Sequence, residues 1–187
     1  MMVDPSADAA APVTVATDAG MLALWDPLAF SAVVDYDTWE RELLEDDDQL
    51  RSIRAGSLVP VNIRSDGAFG VLARVGQAPG EARLTQRESV CALVSSQPYR
   101  FLSQGTACIS GIEEVRGEPW PGTLQFAVPT GEYAVVVHLI DWAAESGGTL
   151  DGRAPVNALP DFVVLLNPVS DSSGFFRVKI ETFERGE

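Results

Sequence analysis

Histidine and lysine each occur once in the 187 residues, and cysteine only twice. The lone His138 excludes every metal site built on two or three imidazoles, the HExxH zinc motif included. A Ser-His-Asp or Cys-His arrangement would have to form around it. Its neighbours Val137 and Leu139 are those of a sheet residue instead. Cys91 and Cys108 form no CxxC and have no His or Cys cluster around them, so two buried free thiols are expected rather than a disulfide or a metal site. No run approaches the roughly 18 apolar residues of a membrane-spanning helix. The densest, Tyr133 to Ile140 and Phe162 to Leu166, suit strands. Gly-x-Ser-x-Gly, Gly-x-Gly-x-x-Gly and the P-loop pattern are missing as well: Ser110-Gly111 lacks the preceding glycine of a nucleophile elbow, and Gly147-Gly148 runs into Thr149 without a lysine. Nucleotide and acyl-transfer chemistry have no local support, and neither a cofactor nor a catalytic residue is assigned.

Positive charge is scarce too. Against 27 Asp and Glu stand 13 Lys and Arg, a net charge of −14, which disfavours direct association with nucleic acid or an anionic membrane surface. The opening Met1 to Ala11 carries Asp4 and Asp8 where a secretory signal needs a basic start and an apolar run, so a mobile tail on a cytoplasmic protein is expected. Twelve arginines to one lysine fit the codon bias of a GC-rich bacterial genome.

What is present is a 46% apolar composition, enough for one core without staples, and turn residues placed so that they limit helix. Neither Gly nor Pro interrupts the chain between Pro27 and Gly56, whereas later gaps are mostly of strand length. One substantial helical segment is therefore expected over about 37–55, capped by Asp37 with Glu40 reaching back, striped by Trp39, Leu43, Leu50 and Ile53, and stopped by Gly56. The acidic cluster Glu45 to Asp48 could break it in two.

The remainder reads as about ten strands. Leu58 to Arg64 and Ala68 to Val75 flank Ser65-Asp66-Gly67, and Thr123 to Val128 and Glu132 to Asp141 flank Pro129-Thr130-Gly131, which predicts two hairpins. Phe176, Val178 and Ile180 alternate with charged residues as in a closing strand with one wet face. Shorter strands are expected at 13–16, 21–25, 82–85, 90–94, 99–102, 107–110 and 162–166. The pattern predicts an all-β single domain over 12–187, an antiparallel two-sheet sandwich or partly open barrel.

Charge is distributed unevenly along that frame. Residues 1–50 hold 12 acids and one base, and Asp35 to Asp48 alone hold eight acids against Arg41. The candidate binding residues are Asp35, Tyr36, Asp37, Glu40, Glu42, Glu45, Asp46, Asp47 and Asp48, because a dense anionic face raises the local concentration of a cationic partner and speeds its docking. Solubilisation of an exposed helix is the plain alternative. Asp35-Tyr36-Asp37 after an apolar run superficially matches the nucleophile strand of haloacid dehalogenase phosphatases, but Trp39 stands where that class needs Thr or Val. Calcium there would lack the turning glycine of an EF-hand.

The stretch Gly122 to Phe126, Gly131-Glu132-Tyr133 and Val135, followed by Leu159-Pro160-Asp161-Phe162, resembles the Pro-x-Gly-x-Tyr hairpin of uncharacterised all-β bacterial proteins, some of them similar to inhibitors of a competence nuclease. The resemblance spans about 50 of the 187 residues, implies a β-sandwich and carries over no functional residue. Three functions stay open. The leading one is a non-enzymatic, immunity-like protein whose acidic surface captures a basic protein. The second is a ligand-binding sandwich with a pocket lined by Phe69, Phe101, Phe126 and Trp142 under the 143–160 loop. The third is a carboxylate-only hydrolase, for example a glycosidase using Glu113-Glu114.

Overall fold

A computed structural model describes residues 11–147, 149, 153–171 and 174–185. Residues 1–10 of the expected tail and part of the 143–160 loop lie outside these. In chain order the elements are β1 (Val13–Thr17), β2 (Met21–Trp25), α1 (Tyr36–Leu43), α2 (Asp46–Ala55), β3 (Leu58–Asn62), β4 (Gly67–Val75), α3 (Gln86–Cys91), β5 (Ala92–Ser95), β6 (Tyr99–Gly111), β7 (Leu124–Ile140) and β8 (Phe162–Pro168).

The eight strands form one mixed sheet in the order β1-β4-β8-β7-β6-β2-β3, with β5 pairing β7 off that path. The fold is β-rich, as expected, but it is not an antiparallel two-sheet sandwich of ten strands. One pair, β4 with β8, is parallel, and β1 packs across the core against β2 and β6. The long coiled pair β6–β7 makes this possible. Between Ser103 and Gly105 of β6 the register slips, so that Pro129 and Thr130 of β7 together face a single residue. Such a bulge sharpens local twist and tolerates a proline, which has no amide to donate.

Both expected hairpins are corrected by this topology. Pro129-Thr130-Gly131 does not reverse the chain; it is the bulge inside one 17-residue strand. Ser65-Asp66-Gly67 does connect two strands, but they lie at opposite ends of the sheet: β3 pairs with β2, and β4 with β1 and β8. The amides of Ile63 and Arg64 both donate to the Gly20 carbonyl, at 2.8 Å each, which leads the chain out of β3 without a hairpin ladder. The 82–85 stretch is a loop into α3, and 90–94 is split between α3 and β5. Segment 176–181 is extended chain rather than a strand, joined to β3 through a single bridge, Asn62 to Thr182. Tyr99 secures it by donating its hydroxyl to the Lys179 carbonyl at 2.6 Å and accepting from the Glu181 amide at 3.0 Å.

The helical segment is two helices, α1 and α2, not one. Asp35, not Asp37, caps α1: its carboxylate accepts the Thr38 amide at 2.9 Å, and Thr38 Oγ1 accepts the Asp35 amide at 3.0 Å, so Thr38 fills the role expected of Glu40. The acidic cluster does divide the segment, because Glu45 is extended and α2 starts afresh at Asp46. Gly56 ends it in the left-handed conformation, φ 76°, with Gly56 and Ser57 amides returned to Ile53 and Ser52. Leu43 of α1 and Ile53 of α2 are fully removed from water, each worth about 1.5–3 kcal/mol, and they hold the pair of helices on the sheet.

Candidate functional site

With those anchors, Gln49 and parts of Trp39 and Leu50 turned inward, the acidic positions of both helices are left toward solvent. Asp35, Tyr36, Asp37, Glu40, Glu42, Glu45, Asp46 and Asp47 are all exposed, and Asp48 is half-buried. Among the described residues Asp48 alone of these carboxylates is in an ion pair, with Arg51 one turn along α2. Arg41 directs its Nε to the Asp37 carbonyl at 3.2 Å, stitching α1 to itself. Asp46, Asp47 and Asp48 occupy the first turn of α2, where the helix dipole favours negative charge.

Asp35 titrates below its ordinary value because Thr38 donates to its carboxylate from both side chain and backbone. Tyr36 is raised above its ordinary value, first by the neighbouring charge of Glu40 and then by the hydrogen bond between them. Its ring stacks on Trp39, centroids 6.0 Å apart and 21° from parallel. Trp39 is the foot of the helix. It packs against the main core and donates its indole N–H to the Ile112 carbonyl at 2.9 Å.

A site that the sequence reading missed begins at this stack. The loop after β6 returns beside α1, fixed by Gly117, whose amide donates to the Val33 carbonyl at 3.0 Å. A Cβ at Gly117 would meet the Ser31 backbone at 2.6 Å, so only glycine allows this approach. The loop thereby brings Arg116 and Trp120 next to Tyr36 and Trp39. Together with Asp35 and Glu113 they line an open cleft of about 170 Å³. The Arg116 guanidinium lies over the Trp120 ring at 4.8 Å and donates to the Val34 carbonyl at 2.8 Å. The legible signal was Pro119-Trp120-Pro121 in a polar loop, a large aromatic ring where no strand or helix could bury it.

The other candidates separate. Phe101 is fully buried in the core and Trp142 belongs to a second, smaller cluster around Ile140 and Val163. Phe69 lines a cavity of about 280 Å³ with Phe162, Phe183 and Arg185, and Phe126 lines a different groove beside β4. The four aromatics do not share a pocket. Glu113 is occupied by the Asp18 amide at 2.7 Å and the Thr17 hydroxyl at 3.1 Å, while burial and then the charges of Glu113 and Asp18 raise Glu114. His138 Nδ1 lies 2.7 Å from Ser95 Oγ across the β5–β7 pair, and burial lowers its titration. Both thiols are buried and free, Cys108 being pushed up to about 12 by burial and by Asp26. Among the described residues no group of three or more His, Cys, Asp or Glu is placed to hold a metal ion, and no helix is long and apolar enough to cross a membrane.

No family model and no curated protein matches the chain. Solved structures do. One, titled "Crocagin biosynthetic gene J", is 17% identical, with 84% of this chain and 96% of that one aligned at a TM-score of 0.53. Another is ComJ from Bacillus subtilis, described as the inhibitor of the DNA-degrading activity of NucA, 10% identical over 84% of this chain and 95% of its own at a TM-score of 0.49. At 17% identity the likeness to the crocagin protein is one of fold alone.

Proposed function

We propose that this chain works as a non-catalytic binding protein, presenting α1 and the first turn of α2 to a basic protein partner in the manner of an immunity protein or nuclease inhibitor. The observation that carries the reading is the set of exposed carboxylates Asp37, Glu40, Glu42, Glu45, Asp46 and Asp47, which among the described residues have no arginine laid against them. Carboxylates left free on one side of a −14 chain create a field that steers a cationic surface and fixes its orientation. Solubility alone needs no such concentration on two adjoining helices.

Charge reversal tests this. The variant Glu45→Lys/Asp46→Lys/Asp47→Lys is titrated, beside the parent, against a basic endonuclease with plasmid cleavage and calorimetric binding as readouts. The parent is expected to bind at low ionic strength, with an affinity that falls as salt is added, and the variant to bind at least roughly ten-fold more weakly. Equal binding by parent and variant in low salt would overturn the proposal.

A further inference from the structure

The carboxylates attract a basic surface, but they do not show where one of its side chains would seat. Exposed aromatics do. Tyr36 is 65% exposed and Trp120 54%, both unusually open for rings of their size, and both line the same cleft as the half-buried Trp39. Tyr, Trp and Arg are the residue types that dominate binding energy at protein interfaces, and here they are gathered around a depression rather than scattered.

Resting on the binding reading above, we infer that the Tyr36–Trp39–Trp120 cleft is the seat of a single arginine side chain of the basic partner. Three features select a guanidinium. The π-faces of Tyr36 and Trp120 attract a cation lying flat on them, and a planar, weakly hydrated guanidinium does so better than a compact ammonium. The nearby acids, Asp35 and Glu113 in the lining and Asp37 and Glu40 on the same helix as Tyr36, outnumber the nearby cations Arg41 and Arg116. Asp35 and Glu113 each accept backbone amides already, which fixes their orientation while leaving lone pairs for a further donor. Finally, the cleft already holds a guanidinium. Arg116 rests on Trp120 at 4.8 Å, as an incoming arginine would, and its charge competes with that arginine for the same acids.

The experiment uses the full chain with ¹⁵N-labelled indoles and the capped tripeptide acetyl-Gly-Arg-Gly-amide as probe, beside its lysine and citrulline counterparts. The arginine peptide is expected to move the indole signals of Trp39 and Trp120. Trp25, buried and bonded to Ser110, and Trp142, bonded to Asp161, should stay in place. Lysine and citrulline peptides should bind roughly five- to ten-fold more weakly, the lysine for want of a planar ion and the citrulline for want of charge. The double variant Tyr36→Ala/Trp120→Ala should lose the response at Trp39, the one responding indole it retains, with its thermal unfolding unchanged, since both rings are largely in solvent. Arg116→Ala should bind the arginine peptide as tightly as the parent or more tightly.

Equal response to lysine, signals moving at all four indoles alike, or weaker binding by Arg116→Ala would each overturn the inference. Failure here is distinct from failure of the parent reading. If the tripeptide leaves Trp39 and Trp120 unmoved while the triple charge reversal still abolishes endonuclease capture, the cleft falls and the acidic surface stands. If the tripeptide binds in the cleft while charge reversal changes nothing, the reverse holds.

Discussion

The same residue types serve opposite ends in two regions of this molecule. On β4, α3, the β6–β7 pair and the chain leading into β8, arginine and carboxylate come in matched pairs: Arg74 with Glu88 at 2.7 Å, Arg87 with Glu145 at 2.6 Å, Arg100 with Glu132 at 2.8 Å and Arg185 with Asp161 at 2.5 Å. Along α1 and α2, carboxylates crowd together, while Arg41 is spent on a helix carbonyl and Arg51 on Asp48. A carboxylate whose partner comes from a distant strand holds the fold together. One that has no partner in its own chain is available to another molecule.

The sharpest way to break this contrast is at Arg74. Glu88 is 3% exposed and accepts both guanidinium nitrogens of Arg74, at 2.8 and 2.7 Å, besides the Thr85 amide. Arg74→Ala would strand that buried charge, at an expected cost of about 3–5 kcal/mol in urea unfolding. Burial raises Glu88, but the hydrogen bonds from Arg74 and Thr85 outweigh it and leave the folded value below the ordinary 4.5. A depressed carboxylate value means that this stabilisation is present above the ordinary value and is lost as pH falls through the folded one. The Arg74→Ala deficit should therefore shrink on acidification; a deficit that is the same at every pH would show that packing, not the ion pair, carries it.

The triple reversal at Glu45, Asp46 and Asp47 sharpens the comparison from the other side. No folded-state partner is lost, and only the helix-dipole preference at the start of α2 opposes lysine there. The expected penalty is about 1–3 kcal/mol for the three positions together, read by the same unfolding curves. A loss as large as that of Arg74→Ala would mean that these acids are structural after all.

How much of this was legible in advance differs between the regions. Capping, the break at Glu45 and the stop at Gly56 are local, so the helical segment could be read from residues within a turn of each other, although Asp35 and Thr38 formed the box expected of Asp37 and Glu40. Strand existence was legible where burial is two-sided, as in Leu22 to Trp25 and Phe162 to Leu166. Pairing was not. Ser65-Asp66-Gly67 carries good turn chemistry, yet the hydrogen-bonding edges of β3 and β4 are claimed by strands far away in sequence, and turn residues cannot announce that. Nor could they announce that Pro129 marks a bulge. The acidic residues were found because charge is additive along a chain. The cleft was missed because Tyr36 and Trp120 are 84 residues apart and meet only through the close approach at Gly117.

The smallest effect concerns the sole imidazole, which belongs to the paired region by position and whose hydrogen-bonding side chain among the described residues is Ser95. Burial lowers His138 below its ordinary 6.5, and the nearby charge of Glu88 offsets part of that. A lowered histidine favours the neutral ring in the folded state, so its contribution is present above pH 6.5 and is lost as pH falls through the folded value. The difference in unfolding free energy between the parent and His138→Gln should be constant above that point and turn against the parent below it. Glu88 titrates in both proteins and cancels. In the Arg74→Ala background the burial of His138 is unchanged, so the same downward turn should persist there. Its disappearance would show that the imidazole responds to the geometry of the Arg74–Glu88 pair rather than to burial. The paired region would then behave as one electrostatic unit, as the acidic helices, whose charges act outward and singly, do not.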